Sequence, residues 1–260
     1  MSVEQRLDFR FSLPEQPDGK VVELSFAEIE ELLLNRLREA TGDKKDALWQ
    51  LARLYSHAKQ QEPALDYLRQ VLALQPDTEH QAATVLAMGQ TMEQVGDYES
   101  AVRYYREAFA LEPMHTATWY FINNNLGFSL NALDRFDEGE PFCRAAIAID
   151  GQRPNGFKNL GIALRGQGRL AEAAECFVKA TQADASDARA LKLLEELLEK
   201  HPALGFDFIS ALECCQKAVD VARERCEVLQ PVVQRGWRKR LFLLRTRIRA
   251  WWQRVCGRPG

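Results

Sequence analysis

FKNLGIALRGQGRLAEAAECFVKATQAD, residues 157–184, contains two apolar series separated by a glycine-bearing turn. In the first, Phe157, Leu160, Gly161 and Leu164 recur at steps of one, three and four, which is one face of an amphipathic helix. The turn is Gly168-Arg169-Leu170, and after it Ala173, Phe177 and Ala180 mark a second helix. Two helices with so short a link must lie antiparallel. The small residues Gly161 and Ala173 are what close crossing of two backbones requires, while Phe177 fills the space beside them.

The same frame recurs upstream. Leu126-Gly127 stands 34 residues before Leu160-Gly161, in a unit through Asn123, Leu126, Gly127, Leu130, Gly139, Cys143 and Ala146. A second unit runs through Val85, Met88, Gly89, Met92, Ala101, Tyr105, Ala108 and Pro113. The first runs through Leu48, Leu51, Ala52, Tyr55, Ala64, Leu68, Val71 and Pro76. Against the pattern W-x2-L-G-x2-Y…A-x3-F…P, these four units resemble the tetratricopeptide repeat (TPR) family over residues 45–187. The resemblance implies an all-α fold, a solenoid of helix-turn-helix repeats wound as a right-handed superhelix. One unit cannot bury its apolar face alone, but stacked units can.

The spacing is uneven. Ala52 to Gly89 is 37 residues and Gly89 to Gly127 is 38, so the links into repeats two and three carry about one extra helical turn. HTATWYFI, residues 115–122, is expected to lengthen the first helix of repeat three, with Trp119 and Ile122 packed against repeat two. After repeat four, Leu191, Leu194 and Leu198 mark a further first helix or a solvating cap, so the array extends over 45–200. A break is expected at His201-Pro202 and Gly205, then a C-terminal helix over 204–230 and a basic tail over 231–260. At the other end, alternation through Leu7, Phe9, Phe11 and Leu13 suggests a small β-hairpin within 1–24. Ser25 and Glu28 form a capping-box pattern that opens an N-terminal capping helix within 25–44.

In families that use the concave groove of such an array, the first helix of each unit faces the ligand through its second, fifth, sixth, ninth, twelfth and thirteenth positions. Asn124 and Asn125 hold the fifth and sixth positions in repeat three; Lys158 and Asn159 hold them in repeat four. Recurrent asparagine at the sixth position resembles the asparagine ladder of peptide-binding members of the family. A carboxamide offers both donor and acceptor, and so can satisfy a peptide N–H and C=O together whatever the sequence. Lys158, Arg165 and, in repeat one, Arg53 add cationic points suited to an acidic or C-terminal carboxylate partner. Phe128 sets aromatic surface beside the amides, as does Phe121, which has packing against repeat two as an equal alternative. The competing use of Asn125 and Asn159 is to satisfy helix carbonyls of the neighbouring unit. Asn123, at a position that normally holds a large apolar residue, reads as structural, with Ile122 compensating.

Charge is divided along the chain. Nine of the 34 basic residues lie from Arg235 on, and no acid follows Glu227, which leaves 25 bases against 37 acids before the tail. Trp237, Leu241, Leu244, Ile248, Trp251, Trp252 and Val255 recur at helical steps, flanked by Arg238, Lys239, Arg240 and Arg245. Such a basic amphipathic segment suits an anionic membrane surface or docking on the solenoid as a final cap. Nucleic acid is disfavoured by the acidic body and the want of a nucleic-acid motif.

Six cysteines without CxxC or zinc spacing read as small buried hydrophobes in a reducing compartment, with no chemistry assigned to Cys214-Cys215. The four histidines stand apart, with no HExxH, GxSxG, Walker or dinucleotide context. The expectation is therefore a non-enzyme without cofactor or metal. It is a cytoplasmic adaptor or scaffold that binds an extended peptide segment of a partner protein. The alternative is a membrane-surface assembly factor that acts through the tail by peripheral membrane association. The N-terminus has no export pattern, and no run of eighteen apolar residues is present.

Overall fold

The computed structural model describes residues 25–39, 44–74 and 76–227. All of the elements there are helices: α1 (Phe26–Glu39), α2 (Lys44–His57), α3 (Gln61–Ala73), α4 (Thr78–Gln94), α5 (Tyr98–Ala110), α6 (Thr116–Ala132), α7 (Phe136–Ile149), α8 (Pro154–Gly166), α9 (Leu170–Ala183), α10 (Arg189–Lys200) and α11 (Pro202–Glu227). Among the described residues there is no strand. The hairpin expected within 1–24 and the basic tail over 231–260 lie outside them. The described residues form two compact units, divided between Thr118 and Trp119 in the first turn of α6.

In the first unit α2/α3 and α4/α5 are repeats one and two. The capping box at the start of α1 is formed: Glu28 N donates to Ser25 Oγ at 3.4 Å and Ser25 N to Glu28 Oε2 at 2.7 Å. This fixes the N-terminus of α1, which seats Ile29 and Leu33 on Leu51 and Leu54 of α2. The Tyr55 ring closes that small core, stacked on Tyr67 at 5.6 Å and edge-on to Phe26 at 5.3 Å, while its hydroxyl donates to the Glu30 carboxylate.

In the second unit α6/α7 and α8/α9 are repeats three and four, followed by the pair α10/α11. One core runs through Leu160, Leu164, Phe177, Leu191, Leu194, Leu198, Leu212 and Val219. α10 therefore behaves as a further first helix, with α11 as its partner. The break expected at Gly205 is absent. α11 begins at Pro202 and continues through Gly205 for 26 residues, because a proline in the first turn forfeits no helical hydrogen bond.

The extra residues between repeats are absorbed as helix. α4 and α6 each have 17 residues, whereas α2 has 14 and α8 has 13. Each repeat then turns in the same way. Lys59, Gly96, Asp134 and Gly168 all have positive φ, between 55° and 83°. The next residue's N–H reaches back five residues, from Gln60 to Tyr55 O, Asp97 to Met92 O, Arg135 to Leu130 O and Arg169 to Leu164 O, at 2.9–3.0 Å. This satisfies carbonyls that the helix end leaves unpaired. The close crossings also repeat: a Cβ built on Gly89, Gly127 or Gly161 would meet Tyr105, Cys143 or Phe177 at 2.4–2.5 Å.

Candidate functional site

The first helices of the repeats carry the expected binding residues. In the second unit these are Asn124, Asn125 and Phe128 on α6, and Lys158, Asn159 and Arg165 on α8. In the first unit Arg53 lies exposed on α2. Arg53, together with burial, the larger cause, keeps His57 below its usual pKa.

The consecutive asparagines do three different things. Asn123 is buried and donates Nδ2 to Trp119 O at 2.8 Å, one turn back on its own helix, while Ile122 supplies the buried apolar side chain. Asn124 is 7% exposed; its Nδ2 donates to Asn125 Oδ1 at 3.0 Å, and its own Oδ1 accepts from Asn159 Nδ2 at 3.0 Å. Asn125 is half-buried, and its Oδ1 takes only that one bond. A half-exposed carboxamide with unspent donors is the local condition for gripping a peptide carbonyl.

Asn159 departs from expectation. It is 3% exposed and reaches across to α6, donating to Asn124 O at 3.3 Å as well as to Asn124 Oδ1. Asn131, also buried, returns the contact from the other end of α6, donating to Asn159 O at 2.8 Å. The carboxamides of Asn124, Asn131 and Asn159 thus form a buried seam between α6 and α8. The same sixth position has opposite uses in the two repeats because Asn124 offers an acceptor to Asn159, and burial makes that bond hard to forgo.

Lys158 is half-buried, and its Nζ donates to one neutral acceptor, Asn155 Oδ1, at 2.8 Å. Burial first, then Arg189, lower its pKa below the usual lysine range, with Asp187 opposing them. Arg165 is half-buried too, and neither it nor Lys158 has a carboxylate partner among the described residues. Their neighbours differ: Arg153 pairs with Asp150 at 2.7 Å, Arg135 with Glu138 at 2.7 Å, and Arg169 with Glu140 at 2.9 Å and Glu172 at 2.6 Å. One contact has no signal in the sequence. The Arg153 guanidinium lies 4.7 Å from the Tyr120 ring centre and 5.0 Å from that of Phe121, leaving Phe121 partly exposed.

No group of three metal-ligating side chains occurs among the described residues. Burial pushes the Cys143 thiol up to about 12 and the Cys176 and Cys215 thiols up to about 11, so all three stay protonated at neutral pH as core residues. Cys214 is exposed. No helix among the described residues is long and apolar enough to cross a membrane. The tail residues Trp237, Arg238, Lys239, Arg240, Arg245, Trp251 and Trp252 lie outside the description.

Models of the tetratricopeptide repeat match residues 46–78, 82–115 and 159–187. Tetratricopeptide repeat protein 7B of Homo sapiens is 33% identical over 98 residues, which are 38% of this chain and 11% of that protein. The chain thus spans about a ninth of the curated relative it matches. Among solved structures, MamA from Desulfovibrio magneticus RS-1 superposes with a TM-score of 0.53 at 20% identity, over 74% of this chain and 100% of that one. YrrB, described as a TPR protein with an unusual peptide-binding site, gives 0.52 at 18% identity over 76% and 99%. PilW, a type IV pilus biogenesis factor, gives 0.58 at 19% identity over 84% and 90%. These likenesses are of fold. The repeat models skip residues 116–158, where α6 and α7 nevertheless form the same helix pair.

Proposed function

We propose that this tetratricopeptide repeat protein is a non-enzymatic adaptor that holds an extended segment of a partner protein against the first helices of its repeats. One contrast in the second unit carries the reading. Most polar groups along α6 and α8 are consumed by neighbours, whereas Asn125, Lys158 and Arg165 retain unspent donors at half-exposed positions. Backbone groups of an extended chain match the carboxamide, and carboxylates match the cations. Phe128 supplies apolar surface on the same helix as Asn125, and Asn124 and Asn159 hold the two helices in register. In the first unit, Arg53 is the corresponding cation. YrrB, by its description, binds peptide through a similar fold.

The test is selection of peptides from a random displayed library on the wild-type protein, followed by titration against Asn125→Ala and Lys158→Met. Selected peptides should lose tenfold or more in affinity to each variant, with no fall in the thermal midpoint beyond about 1–2 °C for Asn125→Ala and none for Lys158→Met. Equal affinity for all three proteins would remove the groove from the function.

The second reading, peripheral association of a cytoplasmic protein with an anionic membrane, rests on the nine basic residues from Arg235 on. Sedimentation with phosphatidylserine vesicles, with and without residues 231–260, checks it. Retention by both proteins or by neither would reject it.

A further inference from the structure

Lys158 and Arg165 stand seven residues apart on α8, so their Cα atoms are about 10.5 Å apart along the axis and only about 20° apart around it. They project along one face, two turns apart. A half-buried cation that forms no ion pair is a poor arrangement for stability alone, since desolvation of the charge is incompletely compensated. Within the same unit, Arg135, Arg153 and Arg169 are matched by carboxylates of their own chain. Lys158 spends one of its three N–H donors, on a neutral amide. Among the described residues of this unit, the two half-buried cations that form no ion pair, Lys158 and Arg165, thus share one face of one helix.

The occupants can be specified by charge. Around Lys158, Arg189 and Asp187 neutralise each other in a paired contact of 2.6 Å, so a single positive charge remains. That matches a carboxylate better than a phosphate dianion. Spacing narrows the choice further. In a polyproline II segment every third side chain returns to the same side, about 9.3 Å on, which comes within about an ångström of the α8 separation. In a β-strand the same side recurs at about 6.6 or 13 Å, which fits less well.

We infer that the partner segment recognised on α8 carries two acidic side chains three residues apart, in an extended polyproline-like conformation, with one carboxylate on Lys158 and the other on Arg165. This rests on the groove reading proposed above and adds its register and charge.

The probes are fluorescein-labelled, proline-rich dodecapeptides with two glutamates at spacing i,i+3, at i,i+1 or at i,i+5. Control peptides carry lysines or phosphoserines at i,i+3. Fluorescence anisotropy of the full chain should show the i,i+3 glutamate peptide binding at least tenfold tighter than the other two glutamate spacings and than the phosphoserine peptide. Lys158→Met and Arg165→Met should each remove about tenfold and abolish the spacing preference. The charge reversal Lys158→Glu/Arg165→Glu should bind the lysine peptide instead. Equal binding at all spacings, binding undiminished in the methionine variants, preference for phosphoserine, or no binding by any glutamate peptide would each overturn the inference. In those cases displayed peptides that still lose affinity to Asn125→Ala would leave the groove reading standing.

Discussion

Replacing Gly161 by leucine tests the repeat register at its tightest crossing. A Cβ at this position would sit 2.5 Å from Phe177 Cε1, 2.8 Å from Cδ1 and 3.1 Å from Cζ. Ordinary carbon contacts lie at about 3.5–4.0 Å, so the first added carbon alone demands a shift of about 1 Å. Phe177 cannot swing into solvent, because it is fully buried in the core with Leu160, Leu164 and Leu191. Overpacking of this kind costs about 1–3 kcal/mol, and a side chain of leucine's size falls at the upper end. Helix propensity returns about 1 kcal/mol on leaving glycine, giving a net loss of about 2 kcal/mol. With a urea slope of about 2 kcal/mol per M, the unfolding midpoint should fall by about 1 M. Contacts in an array are local, so hydrogen exchange should quicken in α8 and α9 and not in α2 and α3. Adding Phe177→Leu should recover part of the loss, as a favourable coupling in a double-mutant cycle. A midpoint unchanged within about 0.2 M, or faster exchange in the first unit alone, would show that Gly161 does not face Phe177 across a close helix crossing.

Four further outcomes are expected. Lys59→Gly and Asp134→Gly should each raise stability by about 0.5–1 kcal/mol in urea titration, because a side chain in the left-handed region costs more than glycine's extra freedom when unfolded. Asn159→Ala should lower stability by about 1–3 kcal/mol by stranding Asn124 Oδ1, and Asn125→Ala by less than about 0.5 kcal/mol; comparable losses would contradict the split between seam and surface. Burial alone would raise the Glu79 pKa, but bonds from the Thr118 hydroxyl and the His115 and Met114 N–H groups outweigh it and hold the carboxyl below its usual value. Its contribution is therefore present above the ordinary glutamate pKa and lost as pH falls through the lower folded value. The thermal midpoints of wild type and Glu79→Gln should differ constantly above about pH 5 and converge as the pH falls through the lowered folded pKa, and a gap that widens on acidification would reverse the sign. Under native conditions a maleimide should label Cys214 well before Cys143, Cys176 or Cys215, as peptide mapping by mass spectrometry would show.

The fold was legible because its determinants are local and periodic. Leu160-Gly161 and Phe177 announce a tight helix pair, and the 38-residue interval foretold the lengthened α6, whereas the 37-residue interval showed only extra residues before repeat two, which the structure takes up in the 17-residue α4. The common turn was only half legible. Gly96 and Gly168 advertise positive φ, whereas Lys59 and Asp134 adopt it under the pull of the same back-reaching hydrogen bond and carry no such mark. Gly205 misled in the other direction, since a glycine inside a helix whose core face includes Leu212 and Val219 is tolerated once packing outweighs its roughly 1 kcal/mol penalty.

The candidate site was less legible, for a reason the asparagines make plain. Asn125 and Asn159 occupy the same position of successive repeats, and position alone assigns them one role. What separates them lies on another helix: Asn124 presents Oδ1 to Asn159, and Asn131 donates to the carbonyl of Asn159 from the far end of α6. A polar side chain in a stacked array is therefore read correctly only together with the polar side chains of the adjacent repeat, because a buried amide must find its bonds there. The same rule separates the cations. Arg153 and Arg169 have carboxylates three residues away in sequence or on the preceding helix pair, and are spent; Lys158 and Arg165 form no ion pair among the described residues, which is the contrast on which the proposed acidic partner rests.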